Sequence, residues 1–422
     1  MKIISIVKDM WGVPLLIFSI CMIGQVLSNF DQSLFAYAIP GIMNTFDIGL
    51  ETIGSILSLS FIFAAIVTVT IGVAADRFGR RKLFIFCLAS SALLVGLHAL
   101  APSILSLTMF RACAFGLSAG ILPLAQAYTA EAAPARIRGF MTGMLQCGYA
   151  IGWFLAALIG APILEAYGWR YIFLPALLVV PVAFIIAKAL PESERFQREK
   201  LSDSASNNSL MNLNEWIGKI KILLEPELRQ RSFWSISLFF FQGGAYAGTA
   251  FYFPTFFSDV YGYSERDSAF IVGLSYGIGV IGYIAVALIG EFVLTRRNTV
   301  LIFLTLGTFA LSGLIWLPSS YAENVIWFGA MTMTFYASAA AMWALAAELF
   351  PTRARATASS IMLASILISF ATYPVGVALL VENFDWRMAF TIVAIPSAIV
   401  ATISAAMLPN IKSGLDLDQI AK

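Results

Sequence analysis

Two charged residues fall inside otherwise apolar runs: Asp31 in the run 13–41 and Arg111 in the run 105–131. Nearly every other charge stands at the end of such a run or between two of them. An acid or a guanidinium inside a bilayer is costly unless it pairs or faces water, so it marks a proton path or a substrate counter-charge by default. The chemistry these two types can perform together is a protonation switch. Ionised Asp31 attracts Arg111; protonated Asp31 releases the guanidinium to meet an anion or another acceptor. Loss of water favours the neutral acid and a neighbouring guanidinium favours the carboxylate, so the two effects oppose each other. From the helical rise, Asp31 lies roughly 15 Å below the far end of its run and Arg111 roughly 10 Å below the same face, so they can share a layer. The structural alternative is an ion pair that merely fastens the two segments together.

Such a pair needs a membrane-spanning scaffold. Of 422 residues, 59% are hydrophobic and 12% charged, and the mean hydropathy is +0.85. A soluble chain carries about 25% charged residues. A spanning helix needs roughly 20 apolar residues, and twelve runs qualify: 13–41, 52–75, 82–100, 105–131, 138–162, 169–190, 232–258, 267–290, 298–317, 324–349, 356–381 and 386–408. The fold class is therefore an all-α membrane protein. Lys2, Lys8, the Arg77–Lys82 cluster, Arg136, Arg138, Arg296, Arg297, Arg353, Arg355, Lys412 and Lys422 fall on one side of these spans, against Arg170, Arg266 and Arg387 on the other. Basic loops stay inside, so both termini are expected in the cytoplasm and the chain in a plasma or inner membrane. The first run carries Asp31 and no small-residue cleavage pattern, so no cleavable signal is expected. Cys21, Cys87, Cys113 and Cys147 lie in apolar runs and read as buried thiols without a disulfide. One histidine, His98, leaves no Ser-His, Cys-His or His-rich metal constellation, so neither an enzyme nor a cofactor is expected. His98 itself reads as a membrane-interface residue rather than a proton relay.

The chain is built on a recurrence. Glu131-Ala-Ala-Pro134-Ala-Arg136-Ile-Arg138-Gly139 returns as Glu348-Leu-Phe-Pro351-Thr-Arg353-Ala-Arg355-Ala356, an offset of 348 − 131 = 217. The same offset carries Trp169-Arg170 onto Trp386-Arg387 and Phe173 onto Phe390. Two homologous halves follow, 1–190 and 232–408, joined by a polar link 191–231 and followed by a tail 409–422; duplicated halves in a membrane chain point to a transporter. Within the link, Leu213, Trp216, Ile217, Ile220 and Leu224 recur at helical spacing. That suits either a helix on the membrane surface or a plain tether.

Between the second and third runs stands Gly72-Val-Ala-Ala-Asp76-Arg77-Phe-Gly79-Arg80-Arg81-Lys82. This loop closely resembles the Gly-x-x-x-Asp-Arg-x-Gly-Arg-Arg signature of the major facilitator superfamily, and the resemblance extends over essentially the whole chain. It implies twelve transmembrane helices in two pseudo-symmetric six-helix bundles, alternating access for a small molecule, and a monomer in the lipid bilayer with no nucleic-acid partner. It also implies a cytoplasmic gating network of Asp76, Arg77, Arg80, Glu131 and Arg138, with Glu348 and Arg355 in the second half. Glu192 joins it through Pro191-Glu192-Ser193-Glu194-Arg195, which resembles a sugar-porter element. The corresponding loop of the second half, Gly290-Glu291-Phe-Val-Leu-Thr-Arg296-Arg297, lacks the Asp-Arg pair, so a degenerate latch is expected there.

The substrate site is expected among polar and aromatic residues within spans: Gln25, Asn29, Gln146, Trp153, Gln242, Tyr246, Trp343 and Tyr373, with Arg111 as the cation. Individually such residues also serve helix–helix contacts. The segment Phe241–Pro254 resembles the seventh span of sugar porters, but Phe241 and Ala247 stand where those carry Gln and Asn, and Trp153 replaces a Gln of the fifth span. A site built for hydroxyls discriminates through its hydrogen bonds, so these losses argue against a hexose. The expected function is proton-coupled uptake of a small organic acid, such as an aromatic acid or another monocarboxylate, with Asp31 and Arg111 as the coupling pair. The alternatives are uptake of a sugar, polyol or sugar acid, and efflux by antiport.

Overall fold

The computed structural model describes residues 11–134, 137–192, 221–350 and 352–410, without the side chains of residues 72–73, 76–77, 138, 347 and 352–356. The gating residues Asp76, Arg77, Arg138 and Arg355 therefore lie outside the described side chains, as do most of the link and the tail.

Two bundles of six crossings carry the apolar runs as helices. The first bundle consists of α1 (Val13–Phe46), α2 (Leu50–Phe78), α3 (Arg80–Leu97), α4 (Ile104–Ala119) with α5 (Ile121–Ala132), α6 (Arg138–Met144) with α7 (Cys147–Tyr167), and a 3₁₀ stretch Tyr171–Leu178 leading into α8 (Val179–Ala189). The second bundle consists of α9 (Arg229–Ala247) with α10 (Phe253–Tyr261), α11 (Glu265–Phe292), α12 (Arg296–Trp316), α13 (Tyr321–Met331) with α14 (Ala339–Glu348), α15 (Thr352–Asn383) and α16 (Trp386–Met407). Among the described residues there is no strand, and eleven stretches are long and apolar enough to cross a bilayer. The seventh crossing is the exception, because α9 ends at Ala247 and the chain turns through Gly248–Tyr252 before α10 starts at Phe253, with Pro254 in its first turn.

Local chemistry sets the ends. Ser103, Ser264, Thr295, Ser320 and Asp385 accept from the backbone N–H three residues on, each capping the helix that follows. Gly79 and Gly168 take positive φ, where the chain reverses between crossings and a side chain would be strained. Within the first bundle, Gly152 of α7 sits directly against the Val26–Phe30 backbone of α1, an approach only a residue without Cβ permits.

The repeat seen in the sequence is a repeat of contacts. Trp169 donates its indole N–H to Thr45 Oγ1 at the end of α1, 2.7 Å. Trp386 donates to Asp259 Oδ2 at the end of α10, 3.0 Å. Each ties the start of a bundle's last crossing to the end of its first. All four cysteines are free thiols.

Candidate functional site

Irregular backbone inside a membrane is tolerated where it lines a cavity, and the interruptions here converge on one layer. Crossing four turns at Gly120, crossing five at Leu145–Gln146, crossing seven at Gly248–Tyr252, and crossing ten widens to a π-helical turn at Thr332–Tyr336. Between the bundles at that level lies a cavity of about 210 Å³. Its wall contains Gln25, Asn29, Gln146, Gln242, Tyr246 and Trp343 of the expected substrate residues. It also contains Ser28, Gln32, Ser118, Tyr149, Tyr283 and Tyr336. No acidic or basic side chain lines it among the described residues.

The wall is organised by hydrogen bonds. Ser28 and Ser118 hydroxyls meet at 2.6 Å, and Gln32 Nε2 donates to Ser118 Oγ at 3.0 Å, which joins α1 to α4. Asn29 Nδ2 donates to the Gln25 carbonyl at 2.8 Å, while Gln25 Oε1 is buried without a partner. Across the cavity, Tyr149 of the first bundle bonds to the hydroxyl of Tyr246 in the second, and to Tyr276 at 3.2 Å. Thr249 and Tyr336 hydroxyls are 3.3 Å apart.

On the far side from the basic face, the space is sealed by aromatic rings. Phe61 of α2 lies 4.9 Å from Phe115, 5.5 Å from Phe251 and 5.0 Å from Phe370, ring centre to ring centre, so both bundles contribute. At that surface Arg266 and Glu165 pair across the bundles at 2.6 Å.

Four expected site residues stand behind this wall. Trp153 packs 4.8 Å from Tyr276 and 5.9 Å from Phe251, supporting the tyrosines rather than facing the space. Tyr373 lies against Gly244 and its hydroxyl meets Ser397 at 3.0 Å, so it braces α9, α15 and α16. Arg111 is buried beyond Phe115, its guanidinium 4.4 Å from the Phe35 ring centre and 4.8 Å from that of Phe115. Its Nη1 donates to the Gln32 carbonyl at 3.4 Å, while Nε and Nη2 have no partner. Asp31 is buried, and neither carboxylate oxygen has a hydrogen-bond partner.

Asp31 and Arg111 thus share a layer, as the depth estimate requires, but the expected ion pair between them is not formed in this structure. The reason is rotational. Gln25, Ser28, Asn29 and Gln32 make the cavity stripe of α1, whereas Asp31 is two turns from Gly24 and shares its stripe. Gly24 packs on Phe84 of α3, so this stripe faces the third crossing. His98 is also not the interface residue expected. It is buried, stacked on Phe173 at 4.9 Å, with Nδ1 2.9 Å from the Leu94 carbonyl.

The gating charges close both halves at the basic face. Arg80 pairs with Glu131, and Arg81 reaches the Ala187 carbonyl. Glu192 accepts from the Arg81 backbone N–H at 3.2 Å and from the Tyr128 hydroxyl at 3.1 Å. In the second half Arg296 pairs with Glu348 at 2.9 Å and with Glu291 at 2.8 Å, and Arg297 reaches the Ala406 carbonyl. The offset is 296 − 80 = 216, one residue short of the repeat. The second loop lacks counterparts of Asp76 and Arg77, whose side chains lie outside the described residues; at the described positions its two arginines reach matching partners, and Glu291 adds an acid.

The tetrad Gln25, Ser28, Asn29 and Gln32 repeats at three and four residues on one run, a signal from which Ser28 and Gln32 could have been read.

Comparisons with known proteins agree with this architecture. Residues 21–343 match the family model of the Major Facilitator Superfamily. The 4-hydroxybenzoate transporter PcaK of Pseudomonas aeruginosa is 24% identical over 96% of this chain and 94% of its own length. The niacin transporter NiaP of Acinetobacter baylyi is 31% identical over 40% of this chain and 39% of its own. Among solved structures, a D-xylose-proton symporter superposes with a TM-score of 0.72 at 18% identity, covering 94% of this chain and 99% of the symporter.

Proposed function

The chain belongs to the major facilitator superfamily, and on that premise we propose that it imports a small aromatic or other monocarboxylic acid together with a proton. It is an integral membrane transporter, not an enzyme, and carries small molecules. The two bodies that rock are 1–190 and 232–408, linked by 191–231, with the tail 409–422 and both termini in the cytoplasm. The protein acts as a monomer among membrane lipids. On this orientation the basic face is cytoplasmic and the phenylalanine seal is extracellular.

The observation that carries the proposal is a pair of buried, unpaired ionisable groups, Asp31 and Arg111, in the layer of an aromatic and amide-lined cavity. A buried charge without a partner is costly, so it is kept for what it binds. Arg111 is one side chain removed from the cavity, behind Phe115 and Gln32, both of which line it. When the seal opens, displacement of the Phe115 ring brings the guanidinium to a cargo carboxylate. The aromatic body of the cargo then lies among Tyr149, Tyr246, Tyr336 and Trp343, with its remaining polar groups on Gln25, Gln146 and Gln242. Asp31 takes a proton from outside, and the neutral acid crosses with the neutralised guanidinium. Release of both on the cytoplasmic side follows opening of the Arg80–Glu131 and Arg296–Glu348 latches. The transport of 4-hydroxybenzoate and of niacin by two relatives, each an aromatic ring bearing a carboxyl group, supports the cargo class. The five amides of the wall would also serve a polyhydroxy acid, which keeps sugar acids as the second reading.

The test is internal pH in proteoliposomes holding the purified protein under a potential clamp, with benzoate, other monocarboxylates, sugar acids and neutral sugars added singly. Protein-free liposomes report passive acid leak. Acidification beyond that control by an aromatic acid is the expected result. A response to neutral sugars alone overturns the proposal.

A further inference from the structure

His98 is the chain's single histidine, and the geometry around it raises a question of hydrogen-bond accounting. Its Nδ1 lies 2.9 Å from the Leu94 carbonyl and 3.0 Å from the Val95 carbonyl. Carbonyl oxygens only accept, so Nδ1 carries the hydrogen and Nε2 holds a lone pair. That Nε2 is buried with no partner. Capping α3 needs one N–H donor, which Nδ1 supplies, and the second ring nitrogen takes no part in it. A buried unpaired acceptor is costly and calls for a reason.

The surroundings supply one. From α1, the Phe35 ring meets the imidazole edge-on at 6.2 Å, and Asp31 lies one helical turn below Phe35. From α4 come Phe110, at 6.3 Å, and Arg111, whose guanidinium sits on the other ring contact of Phe35 at 4.4 Å. From the sixth crossing come Phe173, at 4.9 Å, and Arg170, which donates to the Ala99 and Ala101 carbonyls next to His98. The stripe of α1 that faces α3 is pinned twice, at Gly24 on Phe84 and at Phe35 on His98. Asp31 lies between these two contacts. An orphaned base and an orphaned acid therefore occupy one groove, separated from the cargo cavity by α1 itself.

We infer that His98 is the extracellular proton-entry site of the first bundle and hands its proton to Asp31. This rests on the proton-coupled reading above. Nε2 takes a proton from external water and becomes an imidazolium; the proton passes to the Asp31 carboxylate, which becomes the neutral acid, and His98 returns to its Nδ1–H form. On α1, Asp31 stands one turn, roughly 6 Å, from Phe35, the ring that His98 meets, and the transfer runs along that groove through water admitted as the bundles open. The positive charge of Arg111 opposes the imidazolium until an anion neutralises it. Cargo carboxylate and proton therefore load in that order, which makes the coupling obligatory.

The test is His98→Asn, which keeps an N–H for the two carbonyls and removes the titrating group. In proteoliposomes, accumulation driven by a pH gradient is expected to fall at least tenfold while exchange of cargo without a gradient stays within about twofold. His98→Ala, which loses the cap as well, separates the two roles by its lower thermal stability. Because there is one histidine, nitrogen-15 labelling of the imidazole reads its state directly in the unmodified protein. With benzoate at pH 6 an imidazolium signal is expected in Asp31→Asn, where the proton has no acceptor, and the Nδ1–H tautomer in the unmodified protein. Unchanged accumulation and pH profile in His98→Asn overturn this inference alone. Absence of any acid-driven proton movement in the unmodified protein overturns it together with the coupling reading.

Discussion

The two bundles agree at their cytoplasmic ends and disagree in their interiors. At the ends, Arg80 and Arg81 reach Glu131 and Ala187 as Arg296 and Arg297 reach Glu348 and Ala406. In the interior, the first bundle buries Asp31, His98 and Arg111. The 217-residue offset places Gly248, Ile315 and Phe328 at the corresponding positions of the second. In place of those charges the second bundle has hydroxyls: Tyr246, Tyr276, Tyr283 and Tyr336. A duplicated fold has kept two copies of the Arg–Glu contact and has divided its interior, with buried ionisable groups in one half and neutral hydroxyls in the other. Duplication constrains what both halves must do together, and rocking is such a task. A charge site need exist only once.

The comparison breaks most visibly at Asp31. Asp31→Asn is expected to abolish pH-driven accumulation while exchange across the membrane persists, read as uptake with and without a gradient. Tyr276→Phe, in the other half, is expected to leave the proton dependence as it is. Accumulation surviving in Asp31→Asn would return Asp31 to a structural role. Next in size is Arg111→Ala, for which cargo affinity should drop more than tenfold, about 1.4 kcal/mol, in equilibrium binding; an unchanged affinity removes Arg111 from the site. The equivalence of the gates is sharpened by Arg80→Gln and Arg296→Gln. Each pair is part-buried, so each loss is expected to bias the two-state balance by a few-fold. The readout is modification of a cysteine introduced at Ala344, beside the Arg296 guanidinium, in a background without the native thiols. Rates within about twofold of each other confirm two equal latches, and a clear inequality restores asymmetric gating. The smallest effect concerns the indole ties. Trp169→Phe loses a bond to a hydroxyl, about 1 kcal/mol, and Trp386→Phe leaves the Asp259 carboxylate short of a donor, about 2 kcal/mol, both measurable as shifts in thermal unfolding. Equal shifts would show that the charged acceptor gains nothing over the neutral one.

Much of this is legible in the amino-acid sequence. Twelve apolar runs and the Glu131/Glu348 recurrence carry the fold, because bilayer thickness and duplication both leave marks on spacing. Asp31 and Arg111 announce themselves by their cost in hydrocarbon. What escaped was rotation and interruption. Gly248–Tyr252 is as apolar as the helices it separates, so the seventh crossing reads as continuous. Nothing in Thr332–Tyr336 by type demands a widened turn. The face Asp31 takes depends on a rotation of about 100° per residue, which separates it from Gln32, and only the position of α3 shows what it meets. Tyr373 and Trp153 have the types of cavity residues and stand one layer back, a distinction set by the small residues beside them, such as Gly244.

The Tyr149 hydroxyl has a neighbour on each of two helices of the opposite bundle, Tyr246 on α9 and Tyr276 on α11. A single cross-bundle bond must be broken before the halves can turn, and its rupture adds to the barrier. A group with two partners can loosen one while holding the other, so the contact slides instead of snapping. On the alternating-access reading, such a trio would act as a bearing, holding the halves in register while the phenylalanine seal parts.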